Sequence, residues 1–177
     1  MEKEKVERIK ASLRAIPDFP VKGILFWDVT TLFKDAEALH LVCDELKNEY
    51  EGLGVTKVVG IEARGFVCGA ILAQELGAGF VPVRKPGKLP ADTVKKTYQK
   101  EYGTDEIEIH RDAINENDVV VLHDDLLATG GTMVAAYELV KSMNPKKIYV
   151  SFIVELEELD GRKAFPEGVD VRSLIVC

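Results

Sequence analysis

Cysteine and long apolar runs are both scarce in this chain of 177 residues. The three cysteines, Cys43, Cys68 and Cys177, are far apart and fit no CxxC pattern, so neither a disulfide framework nor a zinc knuckle is implied. No apolar run approaches the ~18 residues of a membrane span, and the charged amphipathic residues 1–10 do not resemble a signal peptide. These absences predict a protein of the reducing cytoplasm without membrane contact.

An excess of basic residues is also missing, because 30 acidic residues outnumber 23 basic ones and the formal net charge is −7. An acidic chain binds nucleic acid poorly unless its basic residues are concentrated in one place, so no nucleic-acid partner is expected. Apolar residues make up 46% of the chain, which is ordinary for a globular protein. A single domain over residues 1–177 can bury a sufficient core without a disulfide or a structural metal.

Apolar residues recur in a pattern typical of alternating helices and strands. The pattern predicts helices over residues 6–16, 39–50, 65–76 and 132–143, and strands over residues 57–61, 80–83, 118–122, 148–154 and 172–176. Strands that alternate with helices should be parallel and joined by crossovers. The expected fold class is therefore α/β, with a mostly parallel twisted sheet flanked by helices on both faces.

Residues 85–105 interrupt this alternation. The segment is polar, contains Gly87 and Gly103, and has little periodicity. We expect a long loop here, with hairpin character near residues 106–110. Loops of this length in compact domains are usually functional or disordered.

Residues 119–132, VVVLHDDLLATGGT, join a hydrophobic strand, two adjacent carboxylates, a turn of small residues and a helix. Ligands of open parallel sheets bind at the carboxyl ends of the strands, where Asp124 and Asp125 would lie. The turn at residues 128–132 can direct backbone amides, two hydroxyls and the positive helix end at a phosphate. Because carboxylates repel phosphate and accept hydrogen bonds from hydroxyls, the acidic pair should face a ribose diol. The ligand indicated is a ribose 5-phosphate.

Other known glycine-rich motifs fit Gly130 and Gly131 of this turn less well. No lysine follows them in GxxxxGK[ST] spacing, so the turn is not a P-loop. The Gly77-Ala78-Gly79 run precedes a strand and is interpreted as a turn, not as a dinucleotide fingerprint. A capped helix start after an edge strand is the structural alternative for the acidic motif, but two acids, two threonines and two glycines together favour function.

The acidic segment resembles the phosphoribosyl-pyrophosphate signature of the phosphoribosyltransferases, a strand followed by DDxxATGGT. Further segments resemble the family members that act on adenine, and they occur in the same order along the chain as in those proteins. These segments are residues 19–20 and 23–26, residues 62–66, residues 84–90 and residues 101–103. The resemblance covers about residues 16–155. It implies the family's type I fold, with a flexible loop over the site. It also implies transfer of a phosphoribosyl group from 5-phospho-α-D-ribose 1-diphosphate to adenine, giving AMP and diphosphate.

The resemblance also implies residues for phosphoribosyl binding, for diphosphate binding, for adenine binding and for catalysis. The residues implied for phosphoribosyl binding are Asp124, Asp125, Ala128, Thr129, Gly130, Gly131 and Thr132. Those implied for diphosphate binding are Ala63, Arg64, Arg84, Lys85 and Lys88. Leu25, Phe26 and Trp27 are implied for adenine binding, and Glu101 and Arg64 for catalysis. A cis peptide is common in the family's diphosphate loop and would join Glu62 to Ala63 here. Mg²⁺ is expected with the substrate and not in a protein cage. In the family, the arginine of the segment that matches residues 84–90 reaches into the site of the neighbouring subunit. Arg84 holds that position here, so the resemblance implies a homodimer.

Without the resemblance, the favoured interpretations would be structural. Arg64 would cap a surface turn, Leu25 and Phe26 would be core residues, and Glu101 would be an exposed acid. Two rival functions are also open: transfer to hypoxanthine, guanine or xanthine, and ligand sensing by a non-catalytic regulator of the same fold. The intact diphosphate-loop and flexible-loop segments argue against the regulator.

Two residues depart from the family pattern. Trp27 stands where relatives often carry arginine, and an indole can stack on a base but cannot supply that charge. His123 stands before the acidic pair where relatives usually have a small apolar residue. We favour packing for His123 over titration near neutrality.

Overall fold

The computed structural model describes residues 1–18, 22–23, 25–99 and 103–177. In chain order the elements are α1 (Lys3–Ser12), β1 (Arg14–Pro17), β2 (Leu25–Asp28), α2 (Thr30–Phe33), α3 (Ala36–Tyr50), β3 (Lys57–Ile61), α4 (Gly65–Glu75), β4 (Gly79–Val83), β5 (Thr93–Gln99), β6 (Thr104–His110), β7 (Val119–Leu127), α5 (Gly131–Lys141), β8 (Lys147–Glu155) and β9 (Asp170–Val176). Two short 3₁₀ turns, Glu157–Leu159 and Gly161–Ala164, connect β8 to β9. Within these ranges no helix is long and apolar enough to cross a membrane.

Five of the strands form a parallel sheet in the order β4-β3-β7-β8-β9. Side chains alternate between the two faces of a strand, and each face buries its own apolar cluster. Val120 and Leu122 pack with α5 on one face, whereas Val121 packs with α1, α3 and α4 on the other. The predicted fold class, a mostly parallel α/β sheet flanked by helices, is confirmed.

The strand before the acidic pair is longer than predicted. β7 was expected to end at Leu122, but its pairing with β8 continues to Leu127, opposite Glu155. Asp124 and Asp125 therefore lie inside the last part of the strand, where alternation sends their side chains to opposite faces. The hydrophobic pattern did not predict this extension, because His123, Asp124 and Asp125 are polar.

The first helix is shorter than predicted. It was expected to reach Ile16, but α1 ends at Ser12 and Ile16 pairs with Phe26 in the antiparallel β1–β2 hairpin. Pro17 accounts for the extended backbone of Ile16, since a proline pushes the residue before it towards extended conformations. Asp35 caps α3, because its carboxylate accepts from the Ala38 amide at 3.1 Å.

The expectation of a long loop over residues 85–105 is wrong for residues 93–99. These form β5, which pairs antiparallel with β6. Val94 and Tyr98 pack against the core, while the lysines between them are charged and blur the alternation. One bridge, Arg84 to Glu108, joins the β5–β6 hairpin to the end of β4. The hairpin is thereby held beside the carboxyl end of the main sheet.

Candidate active site

A cavity of about 330 Å³ opens at the carboxyl ends of β3, β4 and β7. Nine of the predicted site residues line it, namely Arg64, Arg84, Lys85, Asp124, Ala128, Thr129, Gly130, Gly131 and Thr132. The strand ends contribute Ile61, Val83 and Leu127 to its wall. The cavity thus lies where ligands bind in open parallel sheets.

The phosphate turn, residues 128–132, leads directly into α5. Gly130 is the N-cap of that helix and has a φ of +84°, a left-handed conformation that favours glycine. The first intrahelical bond runs from the Val134 amide to the Gly130 carbonyl at 2.9 Å. The amides of the first helical turn have no partner within a helix and can receive an anion.

Gly161 supports the phosphate turn from behind. A methyl group on Gly161 would overlap the Ala128 carbonyl oxygen and lie 2.8 Å from Cδ1 of Leu127. A methyl group on Gly130 would in turn lie 2.7 Å from the Gly161 carbonyl oxygen. Arg162 fixes this segment, since its Nε donates to Glu155 at 2.6 Å and its Nη1 to the Val171 carbonyl at 2.6 Å. Sequence reasoning missed Gly161, because a glycine among charged residues gives no signal of a tertiary contact.

The acidic pair is divided between two environments. Asp124 lines the cavity, and its Oδ1 accepts from the Asp125 amide at 2.9 Å. The Asp125 side chain is 1% exposed, and its Oδ2 lies 3.0 Å from Nε of Arg64. Burial, reinforced by repulsion from Asp125, raises the pKa of Asp124 well above its usual value. Burial also raises the pKa of Asp125, although the Arg64 charge opposes the shift.

The loop after β3 contains the expected cis peptide between Glu62 and Ala63. The Glu62 carboxylate accepts from Nη2 of Arg84 at 2.8 Å and from the Lys85 amide at 2.9 Å. These contacts hold the pKa of Glu62 below its usual value, with the Arg84 hydrogen bond as the main cause. Ala63 itself lies outside the cavity lining.

Each predicted diphosphate-binding cation that lines the cavity contacts a carboxylate. Arg64 pairs with Asp125, Arg84 with Glu62, and Lys85 with Asp105. Lys88 lies outside the lining, and its carbonyl accepts from Nη1 of Arg84 at 3.2 Å. The charges of the cavity are therefore largely compensated within the chain.

The predicted adenine-binding residues lie on the β1–β2 hairpin and do not line this cavity. Leu25 is 48% exposed, whereas Phe26 and Trp27 are half-buried. Asp28 fixes the strand end, accepting from Arg14 and from the Thr30 hydroxyl and amide. The Thr30 and Arg14 hydrogen bonds lower the pKa of Asp28 to about 2. Adenine binding by Leu25, Phe26 and Trp27 stays a prediction.

Glu101 lies outside the described residues. The strands on either side of it are described, and their register closes at the pair Gln99 and Thr104. Tyr98, which sequence reasoning did not single out, does line the cavity. Residues 85–105 were expected to form a loop, so no pattern indicated that Tyr98 lies in a strand beside the cavity.

His123 packs in the core beneath the acidic pair. It is fully buried, and its Nδ1 lies 3.1 Å from the Ser151 hydroxyl. Burial lowers the pKa of His123 to about 4, so the ring is neutral near pH 7. Packing, the favoured interpretation, agrees with this position.

Gly65 lets the start of α4 approach this part of β7. A methyl group there would lie 2.7 Å from the His123 carbonyl oxygen and 3.0 Å from Oδ1 of Asp124. Arg64, directly before Gly65, is thereby placed next to Asp125. Among the described residues, no group of three or more His, Cys, Asp or Glu side chains is arranged to hold a metal ion.

Comparison with known proteins matches residues 32–166 to the family model of the phosphoribosyl transferase domain. An adenine phosphoribosyltransferase of Phocaeicola vulgatus is 63% identical over 169 residues, which cover 96% of this chain and 97% of that protein. The adenine phosphoribosyltransferase structure from Rhodothermus marinus aligns with a TM-score of 0.92 at 45% identity, covering 99% of this chain and 100% of that one. The Giardia lamblia APRTase structure, a complex with 9-deazaadenine, aligns with a TM-score of 0.91 at 42% identity and covers 97% of both chains.

Proposed function

The chain belongs to the phosphoribosyltransferase family, and on that premise we propose that it forms AMP and diphosphate from adenine and 5-phospho-α-D-ribose 1-diphosphate. The observation that carries the proposal is that one cavity combines a phosphate turn, the carboxylate of Asp124 and the cations Arg64, Arg84 and Lys85. These groups match the 5-phosphate, the diol and the diphosphate of that substrate. Similarity to adenine phosphoribosyltransferases over almost the whole chain supports adenine as the base.

The phosphoribosyl end of the substrate would be held by the phosphate turn and by Asp124. Backbone amides and the Thr129 and Thr132 hydroxyls donate to the 5-phosphate, and α5 adds its positive end. Asp124 accepts hydrogen bonds from the ribose hydroxyls. As the bond from the anomeric carbon to diphosphate breaks, positive charge develops on the sugar, and the carboxylate of Asp124, which lines the cavity, stabilises it. Asp125 lies outside the lining and would act through its contact with Arg64.

The diphosphate end would be held by Arg64, Arg84 and Lys85. Each of these cations already contacts a carboxylate, so phosphate oxygens would compete with contacts that exist within the chain. The departing oxygens gain negative charge, which favours the cations more in the transition state than in the ground state. Lys88 and the Ala63 amide would complete this group.

Glu101 would accept or relay the proton that the purine loses as its nitrogen attacks the sugar. Leu25, Phe26 and Trp27 would contact the purine ring. The segment that contains Glu101 would exclude water, which otherwise hydrolyses the activated sugar. A glutamate is suited to this role because it can hold one proton and return it to solvent.

Mg²⁺ would bind with the substrate, and the donors of the cavity fit it. Asp124 is a hard oxygen ligand beside the expected diol, and Mg²⁺ is commonly held by one or two carboxylates plus substrate oxygens. When bound, the ion neutralises charge on the diphosphate. A homodimer and a cytoplasmic location stay predictions; an Arg84 that reaches a partner's site would first have to leave Glu62.

Steady-state assays with adenine, hypoxanthine, guanine and xanthine test the proposal. We expect AMP and diphosphate in equal amounts with adenine, and no product with the 6-oxopurines. Transfer to a 6-oxopurine without transfer to adenine would overturn the choice of base. Nucleic-acid binding without AMP formation would favour the regulator instead.

A further inference from the structure

The β5–β6 hairpin touches the phosphate turn through one hydroxyl pair. The Tyr98 hydroxyl on β5 lies 3.1 Å from the Thr132 hydroxyl at the start of α5. Farther along the same strand, Lys96 pairs with Glu138 of α5 at 2.8 Å. The Gln99 carbonyl oxygen lies 3.9 Å from the position that a methyl group on Gly131 would occupy. The end of β5 is therefore seated on the turn that is expected to receive the 5-phosphate.

The Tyr98 hydroxyl has a second polar neighbour on the other strand of the hairpin. It lies 3.4 Å from Oδ2 of Asp105, which directly faces Tyr98 in the strand register. The same carboxylate contacts Nζ of Lys85, one of the cations that line the cavity. Tyr98 and Asp105 thus connect Thr132, at one end of the cavity, with Lys85.

The two hydroxyls can be oriented in two ways. A hydroxyl has one hydrogen to donate and lone pairs to accept with. Without an anion, Thr132 can donate to Tyr98 while Tyr98 donates to Asp105. When a phosphate is present, Thr132 has a stronger, charged acceptor for its single hydrogen. Its lone pair is then available to Tyr98, which becomes the donor of the pair.

We propose that Tyr98 is a positioning residue that orients the Thr132 hydroxyl towards the 5-phosphate and transmits occupancy of the phosphate turn to the β5–β6 hairpin. The proposal deepens the proposed function and rests on it. A Tyr98 hydroxyl that donates to Thr132 polarises the Thr132 hydrogen that points at the phosphate. The phosphate in turn strengthens the contact that seats the hairpin. The effect is specific to ligands that carry the 5-phosphate.

Tyr98→Phe removes this hydroxyl and keeps the ring that packs against the core. We expect the affinity for AMP to fall about three- to tenfold, the usual range for one hydrogen bond, while the affinity for adenosine stays unchanged. Tyr137→Phe on α5, outside the cavity lining, is the matched control and should leave both affinities unchanged. A purely structural role for Tyr98 would alter both affinities together, because it does not distinguish ligands by their phosphate.

Thr132→Val and the double variant with Tyr98→Phe test whether the two hydroxyls act as one unit. Since Tyr98 is proposed to act through Thr132, the double variant should bind AMP no more weakly than Thr132→Val alone. Hydrogen exchange adds an independent measurement. Ribose 5-phosphate should slow exchange in residues 93–99 and 104–110 of the wild type, and this protection should be lost in Tyr98→Phe.

The outcomes separate this proposal from the proposed function. If the wild type forms no AMP, the proposed function fails. If the wild type forms AMP but Tyr98→Phe keeps the wild-type ratio of AMP to adenosine affinity, the role of Tyr98 is refuted. Fully additive losses in the double variant would also refute it.

Discussion

The Nε atom of Arg64 lies 3.0 Å from Oδ2 of Asp125, a carboxylate that is 1% exposed at the end of a central strand. Arg64 itself is 40% exposed and lines the cavity. One side of this guanidinium therefore compensates a buried charge, while the rest of it faces the space that a diphosphate would enter. The same cation can serve the protein before binding and the substrate after it.

Arg64→Gln should lower kcat/KM for phosphoribosyl diphosphate by about 100-fold, in the range seen when one partner of a buried charge pair is truncated. The loss has two parts, a missing cation for the diphosphate and an uncompensated Asp125. Steady-state kinetics measures the effect. Arg8→Gln is the control, since it breaks ion pairs with Asp35 and Glu37, none of which lines the cavity, and should leave kcat/KM unchanged. A threefold or smaller loss in Arg64→Gln would contradict the role of Arg64.

Asp124→Asn should stabilise the free protein while it weakens catalysis. The pKa of Asp124 is raised in the folded state, so the folded protein retains its proton to higher pH than the unfolded chain does. The stability from that proton is present below the unfolded pKa of 3.8 and is lost as the pH rises through the folded pKa. The uncharged amide of Asp124→Asn does not undergo this loss, so the variant should have a larger free energy of unfolding than the wild type at pH 7.

Thermal unfolding of Asp124→Asn at pH 7 should show a higher midpoint than wild type, because the buried charge is removed. Its kcat/KM should fall at least about tenfold, as expected for an electrostatic catalytic contact. Asp112→Asn, at an exposed position, should change neither quantity. A variant that is less stable than wild type at pH 7 would contradict the assignment of Asp124 as a destabilising buried charge.

His123 should make the protein less stable in acid. Burial lowers the pKa of His123 from 6.5 to about 4, so the unfolded chain takes up a proton before the folded protein does. The free energy of unfolding should therefore decrease as the pH falls from 6.5 towards 4, by about 3 kcal/mol from this group at 1.36 kcal/mol per pKa unit. Urea titrations across this range measure the decrease. His123→Asn should reduce it, whereas His40→Asn at an exposed site should not; an equal decrease in all three proteins would exclude His123 as the source.

Gly161→Ala should impair binding of the 5-phosphate without touching the ligand. Its methyl group would overlap the Ala128 carbonyl oxygen and push the phosphate turn forward. We expect KM for phosphoribosyl diphosphate to rise at least about tenfold and stability to fall by 1–3 kcal/mol, the usual cost of overpacking. Gly79→Ala is the matched control, since its methyl group would meet mainly the flexible side chain of Lys57. Unchanged KM in Gly161→Ala would show that the turn can relax.

Glu101→Ala should lower kcat far more than it weakens binding of phosphoribosyl diphosphate. The glutamate is proposed to serve the base, and the phosphate-binding groups are all elsewhere in the chain. Comparison of kcat with the dissociation constant of phosphoribosyl diphosphate separates the two effects. Unchanged turnover would remove Glu101 from the mechanism.

The main sheet and the phosphate turn could be predicted because their signals are local. Runs such as residues 57–61 are short, apolar and β-branched, which is typical of buried strands. The glycines and threonines of the phosphate turn lie within five consecutive residues, and this combination indicates an anion-binding turn. The extension of β7 through Asp124 and Asp125 could not be predicted, since neighbouring backbone bonds keep polar residues in a strand irrespective of their propensity. β5 was missed because Lys95 and Lys96 stand next to each other in the strand and interrupt the apolar alternation between Val94 and Tyr98.

The contacts that complete the site come from residues far apart in sequence. Gly161 meets Ala128, Tyr98 meets Thr132, and Asp125 meets Arg64. None of these pairs has a spacing that a pattern could reveal, because each depends on how strands and turns pack in three dimensions. Residue types predicted which chemistry is present, whereas tertiary packing decides which partner each group has in the free protein.

The position of Gly161 behind the phosphate turn limits how far the turn can be treated as a portable module. If residues 124–132 were grafted onto another parallel sheet, the graft would contain the complete sequence motif. It would lack Gly161, the residue of the 3₁₀ segment that packs behind the turn. A graft that also includes residues 155–164 would restore both Gly161 and the Glu155–Arg162 anchor. The smallest transplantable unit is thus a pair of segments separated by most of α5 and β8.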